Sequence, residues 1–154
     1  RYDILGLKLI NGSGSSLPDL PEVSDSRIKA YIAIALAQQG DPYVLGDEGP
    51  DTFDCSGLVY YSLRESGYPG TLWRSSADTY SKWADWLYVD SASLQPGDIL
   101  FFRSEDNPSR IGHTGIYLGN NYFVHASSSY GRVTISKLEG WYSRQLSHGR
   151  RVYY

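Results

Sequence analysis

Methionine is absent from this chain of 154 residues, and cysteine occurs once, at Cys55. A single cysteine cannot form a disulfide within the chain, so cysteine usage neither indicates an oxidising compartment nor excludes export. No apolar run approaches the ~20 residues that span a membrane. The net charge of -3 argues against a nucleic acid as the main partner. We therefore expect a globular protein with no membrane span and no nucleic-acid ligand.

The composition fits one folded domain behind an N-terminal arm. Residues 1–24 contain an apolar segment, a Gly/Ser run and two prolines, which predicts an arm followed by a linker. Residues 25–154 are long enough to bury a core without a disulfide or a metal. Because the chain begins at Arg1 and lacks methionine, we expect it to be a piece of a longer, multidomain protein. We expect this piece to be monomeric.

Helical spacing dominates the first half of the domain. Ser24-Asp25-Ser26 offers N-cap oxygens for a helix that ends near Gly40. Asp54 starts a second helix, which ends at Gly67. A further helix is expected over residues 80–86. In that helix Tyr80, Trp83 and Leu87 would share one face.

Strand patterns dominate the second half. Apolar stretches bounded by turn residues predict five strands, over residues 99–103, 112–118, 122–127, 132–135 and 149–153. Helices followed by strands indicate an α+β domain with an antiparallel sheet rather than a parallel one.

Cys55 stands where the second helix is predicted to begin. A thiol attacks a carbonyl as thiolate, and a helix N-terminus or a nearby imidazolium lowers its pKa of ~8.5. With Asp54 as the cap, the first-turn N–H groups are free to face an oxyanion. A lone cysteine is more often an inert core residue, but Ser56 and Gly57 are poor helix formers that a purely structural helix would rarely carry there. The setting therefore favours a nucleophile.

Two of the three histidines flank a predicted hairpin. A three-residue loop at 119–121 would place His113 and His125 on one face of the sheet, ~7–8 Å apart at Cα, whereas a two-residue loop would place them on opposite faces. A Cys/His/His triad therefore requires the odd loop or an equivalent register. His113 would then be the base for Cys55, and His125 would orient His113. For His148 no role is expected.

The motifs around these residues resemble those of the NlpC/P60 family of cell-wall cysteine peptidases. The resemblance runs from about Ile28 to Val152. Asp54-Cys55-Ser56-Gly57-Leu58-Val59 resembles the nucleophile motif of the family, and residues 112–119 resemble its catalytic-histidine strand. Further matches occur in the family's order at Pro42-Tyr43-Val44-Leu45-Gly46, Arg74-Ser75-Ser76, residues 94–102 and Val124-His125-Ala126.

This resemblance implies a papain-like NlpC/P60 fold, with a central antiparallel sheet packed against helices and the nucleophile at a helix N-terminus. It implies a cysteine endopeptidase that cuts peptidoglycan stem peptides between D-glutamate and the diamino acid, through an acyl-enzyme and without a metal or other cofactor. The catalytic residues would be Cys55, His113 and His125. Substrate-binding or oxyanion roles would fall to Tyr43, Asp54, Ser56, Arg74 and Ser75, with helix capping as an equal and compatible role for Asp54.

The loop 47–51 departs from the family pattern. The family often has two glycines where this chain has Gly46-Asp47, and the loop is unusually acidic. Such a loop is more often solvated, but it could attract a cationic substrate group. It lacks the ligand order of a calcium loop, so we predict no metal there.

Three alternative functions remain. An N-acetylmuramoyl-L-alanine amidase would use the same Cys/His chemistry. A catalytically dead wall-binding module would have lost a triad residue, and none is lost here. A circularly permuted acyltransferase would place the histidine strand before the cysteine helix, which is the reverse of the order in this chain. We expect a secreted or wall-associated bacterial protein, or a phage lysin that acts on the wall.

Overall fold

A computed structural model describes residues 17–154. The predicted apolar arm and the Gly/Ser run lie outside these residues. The helices are α1 (Ser26–Ala37), α2 (Cys55–Glu65), α3 (Ala77–Tyr80) and α4 (Trp141–Gln145). The strands are β1 (Leu87–Val89), β2 (Ile99–Arg103), β3 (Ile111–Gly119), β4 (Tyr122–Ser127), β5 (Arg132–Lys137) and β6 (Leu146–Arg151).

Helices α1 and α2 begin at the predicted caps. The Asp25 carboxylate accepts a hydrogen bond from the Arg27 amide at 2.9 Å, and the Asp54 carboxylate accepts one from the Gly57 amide at 2.8 Å. Each bond satisfies a donor that has no partner inside its helix. Because these caps are local in sequence, both helix starts could be predicted from the residues alone.

The helix predicted over residues 80–86 is wrong. The helical turn is α3, which ends at Tyr80, and Leu87 belongs to β1 and is 44% exposed. Two indoles explain the difference. Trp83 donates to the Thr71 carbonyl at 3.1 Å, and Trp86 donates to the Tyr68 hydroxyl at 3.1 Å. These bonds tie the chain after α3 to the preceding loop, in turns rather than in a helix.

The six strands form one antiparallel sheet in the order β1-β6-β2-β3-β4-β5. The predicted α+β class and antiparallel sheet are confirmed. The last strand, β6, begins and ends earlier than predicted, while β1 and α4 were not predicted. Across residues 17–154 no helix combines the length and apolarity needed to cross a membrane.

The sheet separates two apolar clusters. Helices α1 and α2 cover one face, where Leu58 and Val59 pack with sheet residues such as Ile116 and Val124. The smaller cluster on the other face contains Leu100, Phe102, Phe123 and Leu138, with Tyr142 of α4 against it. Alternate residues of each central strand therefore point into different cores, as a strand with two buried faces requires.

The chain that leads into α1 lies against the domain. Leu17, Leu20 and Val23 pack on the larger cluster, and the Asn120 amide donates to the Asp19 carbonyl at 2.9 Å. The second half of the predicted linker is thus in contact with the tip of the β3–β4 hairpin.

Candidate active site

The cap of α2 holds the candidate nucleophile in place. Cys55 is the first residue of the helix, and its neighbour Asp54 bonds the Gly57 amide through one carboxylate oxygen and the Gly46 amide through the other, each at 2.8 Å. The carboxylate therefore joins the first turn of α2 to the preceding loop. This is the helix start that the sequence predicted.

Gly57 is required by a close approach of the loop before α2. A Cβ atom at this position would overlap the Asp47 carbonyl oxygen, which accepts a hydrogen bond from the Asp54 amide at 2.8 Å. No flexible side chain could yield there, since the contact is with backbone. A poor helix former in the first turn is thus explained by the loop that packs against it.

Arg74 connects the candidate substrate-binding residues. Its guanidinium donates to Asp54 and to the Ser56 hydroxyl at 2.8 Å each, and to the Ser75 carbonyl at 2.8 Å. It also pairs with Glu48 of the acidic loop at 3.2 Å. Asp54 is only 6% exposed, so its charge is compensated mainly by this arginine. At least part of the acidic loop is therefore neutralised within the protein.

The β3–β4 hairpin reaches the predicted register by an unexpected route. Its tip is a two-residue turn, Asn120-Asn121, with both residues in the left-handed region. A two-residue turn alone would turn the histidines to opposite faces. A bulge between Tyr117 and Gly119 adds one residue to β3 and restores the even register. The hairpin has no three-residue loop, but it has the equivalent register that the sequence analysis gave as the other possibility.

The two histidines of the hairpin are in direct contact. His113 Nε2 and His125 Nδ1 lie 2.7 Å apart, and His125 Nε2 lies 2.9 Å from the Ser136 hydroxyl. His125 is fully buried among Phe123 and Tyr142 on the α4 side of the sheet. A Cβ at Gly115 would lie 2.9 Å from the Phe123 ring and from the Val124 carbonyl oxygen, and 3.0 Å from His125 Cβ, so this glycine allows β4 to lie close to β3.

The thiol of Cys55 lies beside the first residues of β3. Ile111 and Gly112 line the same cleft as Cys55, and the backbone amide of Thr114 is close enough to lower the pKa of the thiol. His113 lies between these residues in sequence. Because Nε2 of His113 is engaged with His125, Nδ1 is the ring nitrogen left for a second partner such as the thiol.

Burial sets the protonation of both groups. Cys55 is partly exposed, yet burial of its sulfur, followed by the Asp54 carboxylate, raises the pKa of the thiol to about 11. Burial lowers the pKa of His113 to about 4. The prediction of a lowered thiol pKa is therefore wrong for the protein without substrate. Backbone amides and Arg74 lower the pKa, but desolvation raises it by more.

A cleft of about 500 Å³ opens over the thiol. Cys55 and all five candidate substrate-binding residues line it, namely Tyr43, Asp54, Ser56, Arg74 and Ser75. Tyr43 lies close enough that the Cys55 and Asp54 charges, after burial, raise the pKa of its phenol to about 12. The cleft thus brings together residues that are 32 positions apart in sequence, from Tyr43 to Ser75.

Sequence analysis missed two residues next to the histidine pair. Ser136 lies in β5, one residue beyond the predicted strand, and no motif marks it. Tyr142 lies on α4, which was not predicted. Strand alternation could have placed Ser136 on the His125 face, but only with the β4–β5 register known. His148 lies elsewhere, bonded to the Ser147 hydroxyl and the Ser81 carbonyl, at 2.8 and 2.9 Å.

Comparisons with known proteins identify the family that this chain resembles. The family described as NlpC/P60 matches residues 40–152. A probable endopeptidase p60 of Listeria seeligeri is 37% identical over 119 residues, which cover 77% of this chain and 21% of that protein. The murein DD-endopeptidase MepH of Escherichia coli is 30% identical over 149 residues, 95% of this chain and 54% of that protein.

A solved structure shows the same fold. The peptidoglycan hydrolase RipB of Mycobacterium tuberculosis superposes with a TM-score of 0.67 at 28% identity, covering 96% of this chain and 79% of that one. The chain spans about a fifth of the Listeria relative and about half of the Escherichia coli relative.

Proposed function

This chain belongs to the NlpC/P60 family, and from that premise we propose that it is a cysteine endopeptidase of bacterial peptidoglycan. The observation that carries the proposal is the position of Cys55. The thiol lies at a helix N-terminus, in an open cleft, beside a strand that presents a hydrogen-bonded pair of histidines. The names of the relatives, endopeptidase and peptidoglycan hydrolase, supply the substrate class.

The reaction begins with proton transfer. In the resting site the thiol and both imidazoles are neutral, because burial raises the pKa of Cys55 and lowers the pKa of His113 and His125. As sulfur attacks the scissile carbonyl, its proton passes to His113 Nδ1. The S–C bond forms while the carbonyl electrons move to oxygen. His125 accepts from His113 Nε2–H and so supports the imidazolium.

Two donors can stabilise the resulting oxyanion. Asp54 accepts from the Gly57 amide, whereas the amide of Cys55, the first residue of α2, has no acceptor inside the helix. An unpaired amide at a helix N-terminus is suited to an oxyanion. Tyr43, whose phenol stays protonated at neutral pH, lines the same cleft and can donate beside it.

The remaining steps return the site to its starting state. The C–N bond breaks as His113 gives its proton to the leaving amine, and an acyl-enzyme remains on Cys55. Water then attacks the thioester and loses a proton to His113. The C–S bond breaks, and the thiolate regains a proton from the same ring.

The cleft, rather than the triad, selects which bond is cut, because the triad chemistry is the same for every candidate bond. The stem bond between D-glutamate and the diamino acid is our first candidate, with Ser56, Arg74 and Ser75 along the substrate path. Names such as murein DD-endopeptidase indicate a second candidate, a bond between two D-residues. An amidase would need the same groups. The protein would act at the cell wall, as a secreted, wall-bound or phage-borne enzyme.

Digestion of purified peptidoglycans tests the proposal. Walls with different stem peptides are incubated with the wild type and with Cys55→Ala, and fragments are identified by mass spectrometry. We expect new termini within the peptide part with the wild type and none with Cys55→Ala at an unchanged circular dichroism spectrum. Fragments released equally by both proteins would exclude Cys55 as nucleophile, and binding without cleavage by the wild type would identify a wall-binding module.

A further inference from the structure

The hydrogen bonds of the histidine pair continue beyond His125. Its Nδ1 faces His113 Nε2 at 2.7 Å, and its Nε2 faces the Ser136 hydroxyl at 2.9 Å. A neutral imidazole carries one N–H, so it donates through one nitrogen and accepts through the other. The direction of one bond therefore fixes the direction of the next.

Two arrangements satisfy these contacts, and one of them is unreactive. If His125 donates to Ser136, His113 donates to His125 and keeps a free lone pair on Nδ1, which can take the thiol proton. If Ser136 donates to His125, then His125 donates to His113 and the proton of His113 is on Nδ1. In that second arrangement the base has no lone pair toward Cys55.

Only the first arrangement leaves the base reactive, so the proposed function requires the Ser136 hydroxyl to accept from His125 Nε2–H. A tyrosine on α4 closes the other side of this contact. The Tyr142 ring stands at 87° to His125, with centroids 5.4 Å apart.

We propose that Ser136 is a positioning residue that sets the tautomers of His125 and His113. It accepts from His125 Nε2–H and so leaves His113 Nδ1 open to Cys55. The direction of this bond and its effect on turnover rest on the proposed function. The tautomers can nevertheless be measured in the free protein, whether or not it shows activity.

Nitrogen-15 NMR of the histidine rings tests the tautomers directly, because the chain has three histidines. In the wild type we expect Nε2–H on both His113 and His125. Ser136→Ala should add an Nδ1–H population on His125, and Ser136→Thr, which keeps the hydroxyl, should restore the wild-type pattern. Thr134→Ala is the matched control, since Thr134 pairs with His125 across the β4–β5 ladder. We expect no change in that variant.

Alkylation of the single cysteine and turnover complete the test. Ser136→Ala should slow alkylation of Cys55 and lower kcat by about three- to tenfold, the range expected for one lost hydrogen bond, with KM unchanged. Identical histidine spectra in the wild type and Ser136→Ala, both folded, would overturn the inference. A wild type with the expected tautomers and no peptidase activity would instead refute the proposed function alone.

Discussion

Replacement of Asp54 by asparagine separates the two tasks of this carboxylate. Asparagine keeps an acceptor for the Gly57 amide. It loses the charge that faces Arg74, and its NH₂ group would meet the Gly46 amide, which now donates to Asp54 at 2.8 Å. The substitution therefore spares the helix cap, removes the bond from the Gly46 amide, and takes the charge out of the bond from Arg74, which shares its acceptor oxygen with Gly57.

The magnitude follows from these two bonds. A hydrogen bond to a charged group contributes about 1.5–3 kcal/mol. Arg74 keeps Glu48 as a second carboxylate and its side chain is 24% exposed, so its loss belongs at the low end of that range. We expect the free energy of unfolding to fall by about 2–4 kcal/mol, which for a domain of this size lowers Tm by about 4–16 °C.

The same substitution should make the thiol more reactive. The Asp54 charge raises the pKa of Cys55, so its removal lowers that pKa. Thermal unfolding followed by circular dichroism gives Tm, and iodoacetamide labelling read by mass gives the thiolate fraction. The variant should be less stable and yet label faster at pH 8. An unchanged Tm, or slower labelling in a folded variant, would refute this account of the site.

Asp25→Asn is the matched control, because Asp25 also caps a helix but pairs with Arg27 at the surface. We expect a smaller change in Tm and no change in labelling.

Three other predictions concern packing, catalysis and pH. Gly57→Ala should lower the free energy of unfolding by about 1–3 kcal/mol, because its Cβ would overlap the Asp47 carbonyl; a Tm equal to the wild type would contradict the close approach. His113→Ala should abolish wall digestion while His125→Gln keeps part of it, because an orienting hydrogen bond can be replaced and a base cannot; total loss in both, measured by fragment release, would give His125 more than an orienting role. Burial depresses the pKa of His113 from 6.5 to about 4, so the neutral ring contributes stability above pH 6.5 that is lost as the pH falls toward 4. Denaturant unfolding should show the free energy of unfolding falling over this pH range in the wild type and falling less in His113→Gln. An equal fall in both proteins would contradict this account.

Local features of the site could be predicted from the sequence. The cap at Asp54, the helix start at Cys55 and strand β4 depend on neighbouring residues, and each was predicted where it lies. The family motifs added the candidate cleft residues. Physical reasoning on short windows is enough for such elements, because caps and strand alternation act over a few residues.

Features that depend on distant packing could not be predicted. Arg74 reaches Asp54 from an irregular segment 20 positions away, and no periodicity indicates that contact. The thiol pKa was predicted in the wrong direction because its burial depends on how β3 covers the helix start. The residues after α3 form turns despite their helical spacing, because the indoles of Trp83 and Trp86 hydrogen-bond to the preceding loop.

The bulge in β3 shows that the sheet face on which His113 lies depends on whether the number of residues between it and the turn is odd or even. One inserted or deleted residue between the turn and His113 exchanges the two faces of the strand, whereas two residues leave the faces as they are. Loop grafts and natural length variation in this hairpin should therefore be tolerated in steps of two, or in single steps when a bulge is gained or lost at the same time. Alignments that count only the number of residues between the two histidines would miss this rule, because a bulge changes which residues pair without showing in that count.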